Sequence, residues 1–267
     1  MHELAFVFAG FAVGLIVGLT GVGGGSLMTP ILIFFFGIKP HMAVGTDLLF
    51  AAFTKMGGTV SLARQRLVPW KVVGQLCAGS IPAALLALWA LHTLGPASGT
   101  AQRIMTITLG FALLLTAAAT LYKAVAFSAQ RQAAEAAARK NHVGDPTRPR
   151  HWSLPMLMGA VIGTLVTFTS VGAGAIGVTV LLLVYPMLPL PRIIGADIAY
   201  AVPLTLVAGL GHASLGSVDW PLLAQLLAGS LPGIWLGSRL VTRTPERLIR
   251  SALSLLLAWA GFKLILI

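Results

Sequence analysis

Residues 4–38 read LAFVFAGFAVGLIVGLTGVGGGSLMTPILIFFFGI, with no charged side chain anywhere in the run. About 20 apolar residues cross the ~30 Å hydrocarbon core of a bilayer, so this stretch is long enough to span and too long to do so as one straight helix. It carries Gly21, Gly23, Gly24 and Gly25 in its middle, where a helix would break. Uncharged runs recur at 75–102 and 153–191. The chain is 57% hydrophobic and 9% charged, whereas about a quarter of a soluble domain is charged. The expected class is an all-α polytopic integral membrane protein.

The same arithmetic excludes other classes. One cysteine, Cys77, offers neither a disulfide nor a cysteine metal site. A net charge of +11 would suggest nucleic acid in a soluble chain, but the basic residues lie in short segments between apolar runs, as the positive-inside rule describes. No nucleic-acid partner is expected. The first run follows His2 and Glu3 without a basic leader and outlasts the apolar core of a signal peptide, so it is read as mature structure.

Uncharged stretches and breakers define eight apolar segments, at about 4–36, 43–63, 72–94, 104–122, 153–185, 193–213, 220–238 and 248–266. The alanine-rich, charged interval 123–152 separates the fourth from the fifth. The fourth helix is expected to run on into it and give way to a flexible linker. The expected organisation is a transmembrane repeat over 1–125, a cytoplasmic linker over 126–152 and a second repeat over 153–267.

The two sides of the linker resemble each other. Comparing 45–82 with 195–232 at an offset of 150 gives twelve identities in thirty-eight positions, including Gly45, Asp47, Trp70 and the block QLxAGSxP at 75–82 and 225–232. About a tenth would match by chance. Upstream, Val22–Gly25 aligns with Val171–Gly174 at offset 149. Segments one and five are both over-long with a glycine-rich middle, so each is either one bent pass or a re-entrant hairpin.

Charge counting discriminates. If all eight segments cross, the Lys and Arg outside the spans divide ten to seven. If segments one and five are hairpins, Lys39, Arg103 and Lys263 fall on one side and the other fourteen on the opposite side. The positive-inside rule favours the second division. It places both termini in the periplasm and makes the two repeats inverted, as in many secondary transporters. Trp70 and Trp220 would then lie at opposite interfaces.

Gly21, Gly23, Gly24, Gly25 and Ser26 form the most distinctive motif. Non-helical backbone inside a membrane must be buried in protein or line a watery cavity, and a helix restarting there presents unpaired N–H groups to an anion. The second copy, Thr169, Ser170, Gly172 and Gly174, adds hydroxyl donors. Close helix packing also uses small residues, so each motif reads as packing or as substrate contact. Asp47 and Asp197 are equivalent and lie within segments two and six, where a carboxylate is costly and functional by default; capping a helix start is the competing role. Thr46 precedes Asp47. Lys55 stands mid-segment, paired with an aspartate or facing a substrate, and its counterpart is Thr205. His212 reads as a proton relay or a satisfied histidine. Pro82 and Pro232 read as kinks, and Asp219-Trp220-Pro221 as a helix start with an N-cap. Arg239, Arg243, Arg247 and Arg250 anchor topology or hold anionic lipid. No HExxH, nucleophile elbow or phosphate loop is present, so no enzymatic activity and no cofactor or metal are expected.

The chain resembles the TauE/SafE family of sulfite and sulfonate exporters. The likeness is carried by Gly21–Ser26 with Pro30, by Ala43-Val44-Gly45-Thr46, and by the duplicated Ala-Gly-Ser-x-Pro at 78–82 and 228–232, and it covers nearly everything outside 123–152. It implies inner-membrane transport of small sulfur-containing or carboxylate anions. The expected function is therefore a secondary transporter of a small anion such as sulfite, a sulfonate or sulfoacetate, with Asp47 and Asp197 coupling it to protons. Gly21, Gly23, Gly24, Gly25, Ser26, Thr46, Lys55, Thr169, Ser170, Gly172 and Gly174 are the expected substrate contacts. A lipid-handling or scaffold protein binding anionic head groups is the alternative. The expected partners are the small anion and the bilayer, with homodimerisation left open.

Overall fold

The computed structural model describes residues 2–20, 25–139, 147, 153–172, 174–185, 188–240 and 246–266. Among them ten helices follow one another: α1 (His2–Thr20), α2 (Gly25–Phe34), α3 (Pro40–Arg64), α4 (Trp70–Leu94), α5 (Gly99–Arg139), α6 (Leu154–Thr169), α7 (Ala175–Val184), α8 (Leu190–Ser214), α9 (Trp220–Leu240) and α10 (Glu246–Leu266). Segments one and five of the sequence are each two helices, which accounts for ten where eight apolar segments are read. The fourth segment does continue as helix, to Arg139.

Three helices, at Trp70–Leu94, Gly99–Leu121 and Leu190–Ser214, are long and apolar enough to cross a membrane, and shorter apolar helices cover Leu4–Leu19, Leu154–Thr169 and Leu253–Ile265. Large apolar side chains including Leu86, Trp89, Phe111, Leu157, Trp235, Leu255 and Phe262 are exposed on several of these helices. Water would not tolerate so extensive an apolar surface, whereas lipid solvates it. The chain is an integral membrane protein.

The core is built by pairing α1 with α9, α4 with α6, α5 with α10 and α3 with α8. Glycine makes the first two pairs close. A side chain at Gly229 would overlap the Val7 carbonyl, one at Gly10 the Leu226 carbonyl and one at Gly14 the Ser230 carbonyl. The other pair repeats this: Gly79 lies on the Met156 carbonyl, Gly159 on Leu76 and Gly163 on Ser80. In lipid, with little hydrophobic drive between helices, such backbone approach supplies the dispersion contacts that hold helices together. The duplicated Ala-Gly-Ser-x-Pro is thus a packing element, and Pro82 and Pro232 lie within α4 and α9.

Contacts between α3 and α8 run in opposite directions along the two helices. Gly45 meets His212, Leu49 meets Gly209, and Thr59 reaches the Ile198 carbonyl. These two helices are antiparallel.

The over-long segments turn back on themselves. Phe6, near the start of α1, packs on Phe36, just beyond α2, with ring centroids 4.6 Å apart. In the second half, α6 begins against α4 at Met156 and Gly79. The chain leaving α7 returns to the same part of α4, where the Tyr185 hydroxyl donates to Gln75 Oε1 at 2.6 Å. Each segment begins and ends at one level, as a hairpin does. Lys263, in the last turn of α10, lies 5.1 Å over both Phe34 and Trp259, which brings the C-terminal helix end to the level where α2 ends.

Candidate functional site

The tip of the second hairpin is described on both flanks. Ser170 ends α6 in the left-handed conformation at φ 57°, and Gly172 and Gly174 take φ values of 130° and 140° that a side chain would disfavour. Thr169 Oγ1 donates to the Leu165 carbonyl at 2.6 Å and accepts from the Val171 N–H at 3.1 Å, holding the helix end in shape. The Gly172 carbonyl accepts from the Gly177 N–H at 3.0 Å, bridging the turn into α7. In the first hairpin, Gly21, Gly23 and Gly24 lie outside the described residues, while Gly25 and Ser26 open α2.

Asp47 stands seven residues beyond the first residue of α3, and Asp197 stands equally far into α8. Neither is at the N-cap of its own helix, which Lys39 and Pro189 occupy. Both are buried, at 0% and 2% exposure. Asp47 Oδ2 accepts from the Thr29 hydroxyl of α2, while its Oδ1 has no hydrogen-bond partner among the described residues. The Ser170 side chain lies beside this carboxylate, although its hydroxyl closes no hydrogen bond of good geometry. Asp197 Oδ1 lies directly on the Cα of Gly177 in the first turn of α7. Each carboxylate therefore sits near the beginning of a short half-helix, where the macrodipole is positive and negative charge is favoured. The N-terminal end of α7, read from sequence as an anion site, already faces a carboxylate of the chain itself.

The two aspartates stand at different levels of the antiparallel pair α3 and α8. The contacts along α3 and α8 set Asp197 level with about residue 60, thirteen residues past Asp47, or roughly 20 Å along the helix at 1.5 Å per residue. Lys55 lies between them and is buried. It interacts electrostatically with both carboxylates, Asp197 first.

Other sequence-selected residues have structural engagements. Thr46 Oγ1 accepts from the Asp219 N–H at 3.0 Å, tying α3 to the start of α9. Asp219 Oδ1 accepts from the Leu222 N–H at 3.0 Å, so Asp219 is the N-cap of α9 as its position before Trp220-Pro221 implied. Gly45 packs on the Ser217 carbonyl. His212 is fully buried and its Nε2 lies 2.9 Å from the Thr167 carbonyl. Among the described residues no group of three or more His, Cys, Asp or Glu could hold a metal ion. The side chains of Arg239, Arg243, Arg247 and Arg250 lie outside the described residues.

Two residues escaped the sequence reading. Thr29 is a lone hydroxyl one turn beyond the glycine break, a spacing that could have marked it. Tyr200 is fully buried beside Asp197, and its hydroxyl has no hydrogen-bond partner among the described residues; its counterpart by the repeat is Phe50.

A buried pair of carboxylates and a lysine that interacts with both lie within a lipid-facing helical body. Comparison with known proteins gives the family. The family model described as Sulfite exporter TauE/SafE matches residues 6–264. The chain belongs to the TauE/SafE family. It is 35% identical to "Probable membrane transporter protein YjnA" of Bacillus subtilis over 98% of this chain and 100% of that protein. It is 25% identical to "Probable membrane transporter protein YdhB" of the same organism, over 96% and 97%. A "Probable membrane transporter protein" of Xylella fastidiosa is 27% identical over 88% and 83%. No solved structure matches the chain. Members of this family are membrane transporters by name, and this chain is one.

Proposed function

We propose that the protein is a secondary carrier that moves a small anion, an organosulfur compound or sulfur oxyanion such as sulfite, a sulfonate or sulfoacetate, across the inner membrane together with protons. The observation that carries the reading is the buried Asp47–Lys55–Asp197 arrangement. With both carboxylates ionised the three side chains hold one uncompensated negative charge, and an entering anion adds another. Charge buried in a low-dielectric interior is costly unless balanced. Uptake of a proton by one carboxylate offsets the added charge, and Asp47 Oδ1 is an oxygen open to receive it. Thr169, Ser170, Gly172 and Gly174, between α6 and α7, would supply donors to the anion.

The antiparallel course of α3 and α8, together with equivalent glycine contacts in the α1–α9 and α4–α6 pairs, supports two inverted repeats spanning 1–125 and 153–267. Each would consist of a re-entrant hairpin followed by three crossings. The linker would then be cytoplasmic and both termini periplasmic. Reporter fusions at the C-terminus and within 131–148 are expected on opposite sides, the C-terminus outside; a cytoplasmic C-terminus overturns this topology.

The functional test is flux in proteoliposomes with sulfite, a taurine-like sulfonate, sulfoacetate and lactate, with and without a pH gradient. Flux of a sulfur anion that responds to the gradient is expected. Asp47→Asn and Asp197→Asn preserve size and most hydrogen bonding while removing titration. If both variants transport with unchanged pH dependence, the proton-coupled form is wrong. Absence of flux for every anion, with stoichiometric retention of anionic lipid, would favour the lipid-handling alternative.

A further inference from the structure

Each hairpin ends in a short half-helix, α2 or α7, and each half-helix is held near both of its ends. Near the start of α2, Thr29 donates to Asp47. At the end of α2, Lys263 lies 5.1 Å over the Phe34 ring. The ten residues of α7 include no ionisable side chain and make about 15 Å of helix. Its first turn places Gly177 on Asp197 Oδ1. Just past its last residue, the Tyr185 hydroxyl donates to Gln75 Oε1 of α4 at 2.6 Å.

The contact at Gln75 is not common to the two repeats. Gln75 and Gln225 are equivalent within the duplicated QLxAGSxP block, yet the counterpart of Tyr185 is Phe35 at an offset of 150 and Phe36 at an offset of 149. Neither ring has a hydroxyl to offer Gln225, and Phe36 packs on Phe6 of its own hairpin. The Tyr185 ring is wholly buried in a cluster that includes Val72 and Leu76 of α4, a place that phenylalanine would fill as well. The hydroxyl adds direction to the contact, because a hydrogen bond fixes one atom opposite another. Its acceptor is well placed for this. Gln75 precedes Leu76, whose carbonyl meets Gly159 in the close packing of α4 on α6, so Gln75 belongs to a firmly packed pair of helices to which one bond ties the end of α7.

Resting on the carrier reading above for the role of Asp197, we infer that Tyr185 is a positioning residue: its bond to Gln75 holds α7 so that the first turn of that helix stays on the Asp197 carboxylate. With no ionisable side chain, α7 acts on Asp197 through its backbone dipole. That influence falls off within one turn of the helix end, so a small slide or tilt of α7 changes it. The titratable groups around Asp197 are Lys55 of α3, which it shares with Asp47, Tyr200 of α8 and, beside Tyr200, Cys77 of α4. None of them is carried by α7, so cutting the Tyr185 bond alters the dipole and leaves these groups as they are.

The test is Tyr185→Phe, which gives this position the residue of the other half, in purified protein read by backbone hydrogen exchange and in proteoliposomes read by flux of sulfite or a taurine-like sulfonate. The Gly177 and Val178 amides are bonded to the Gly172 and Gly174 carbonyls at 3.0 and 3.2 Å. Their exchange should quicken by about twofold to tenfold, the range that one hydrogen bond of ordinary net strength sets. The pH midpoint of flux should move by the matching ~0.3–1 unit, with KM for the anion changed much less. Gln75→Leu should act alike, and the double variant should be no worse than either single one, as for two members of one contact. Gln225→Leu is the comparison in the other half and should leave both readouts at wild-type values. Wild-type exchange at Gly177 and Val178 in both single variants would overturn the assignment. So would faster exchange with a wild-type pH midpoint, which would mark the bond as structural only. If the wild type moves none of the anions, the carrier reading fails, while the exchange rates still decide whether Tyr185 holds α7, so the two failures are distinguishable.

Discussion

Asp47 and Asp197 occupy equivalent places in α3 and α8, yet different side chains surround them. Asp47 is surrounded by hydroxyls, bonded to Thr29 and flanked by Ser170. The positions equivalent to these are Val178 and Gly21, which have no side-chain hydroxyl to offer Asp197. Asp197 shares Lys55 with Asp47 and has Tyr200 beside it. Both carboxylates interact with Lys55, and Asp47 is bonded to a hydroxyl as well. Equivalent positions of the repeat thus have different neighbours.

The largest expected effect comes from removing the shared lysine. Lys55→Met leaves a buried carboxylate uncompensated, which costs about 3–5 kcal/mol of stability. If Asp197 is the principal partner, adding Asp197→Asn should recover most of that loss, while adding Asp47→Asn should recover little. Unfolding of the single and double variants in detergent makes the measurement. Equal rescue by the two substitutions would dissolve the distinction between the halves.

Next in size is the hydroxyl side of the comparison. Thr29→Val is nearly isosteric and deletes the donor to Asp47 Oδ2, for an expected loss of about 1.5–3 kcal/mol as a hydrogen bond to a charged group. The same change should alter the pH dependence of flux, because Asp47 has lost a donor. A variant with wild-type stability and pH profile would show that Thr29 does not support the carboxylate.

Where the halves are alike, the expected effects are alike. Gly79→Val and Gly229→Val both force a side chain into a facing carbonyl and should each cost about 1–3 kcal/mol. Gly57→Val, at an exposed position with nothing within 4 Å, should cost far less. A difference well beyond ~0.5 kcal/mol between the first two would mean that the α4–α6 and α1–α9 contacts are less equivalent than their geometry.

Much of this was legible in the sequence, and the reasons are physical. Lipid as solvent is written in composition, so the membrane class needed no three-dimensional information. The hairpins followed from an uncharged run too long for one crossing and from the distribution of Lys and Arg, and Phe6 on Phe36 is their packing signature. The meaning of Ala-Gly-Ser-x-Pro was hidden because its partners are distant in the chain: Gly229 acts through Val7, and Gly79 through Met156. The different levels of Asp47 and Asp197 were hidden too, because they follow from the antiparallel packing of α3 on α8. The acceptor role of Thr46 toward Asp219 was hidden as well, because it requires knowing that α9 begins beside α3.

That last contact gives the smallest expected effect and a sharp comparison. In one half Thr46 accepts from the Asp219 N–H. In the other, Ala196 stands where Thr46 does and Pro69 where Asp219 does, so the acceptor and the donor are missing together. Gly195 nevertheless packs on the Leu67 carbonyl just as Gly45 packs on that of Ser217, so the joint itself is preserved while its polar pair is absent. Deleting only one member should therefore be worse than having neither. Thr46→Ala strands a peptide N–H and is expected to cost about 1 kcal/mol, with Thr46→Ser recovering it. Ala196→Thr installs a buried hydroxyl opposite a proline that has no hydrogen to donate, and should cost a similar amount for the opposite reason. Unfolding temperatures of the three variants decide the matter. If Thr46→Ala is neutral while Ala196→Thr stabilises, the two joints are not alternatives of one design, and the hydroxyl of Thr46 has a role outside the α3–α9 contact.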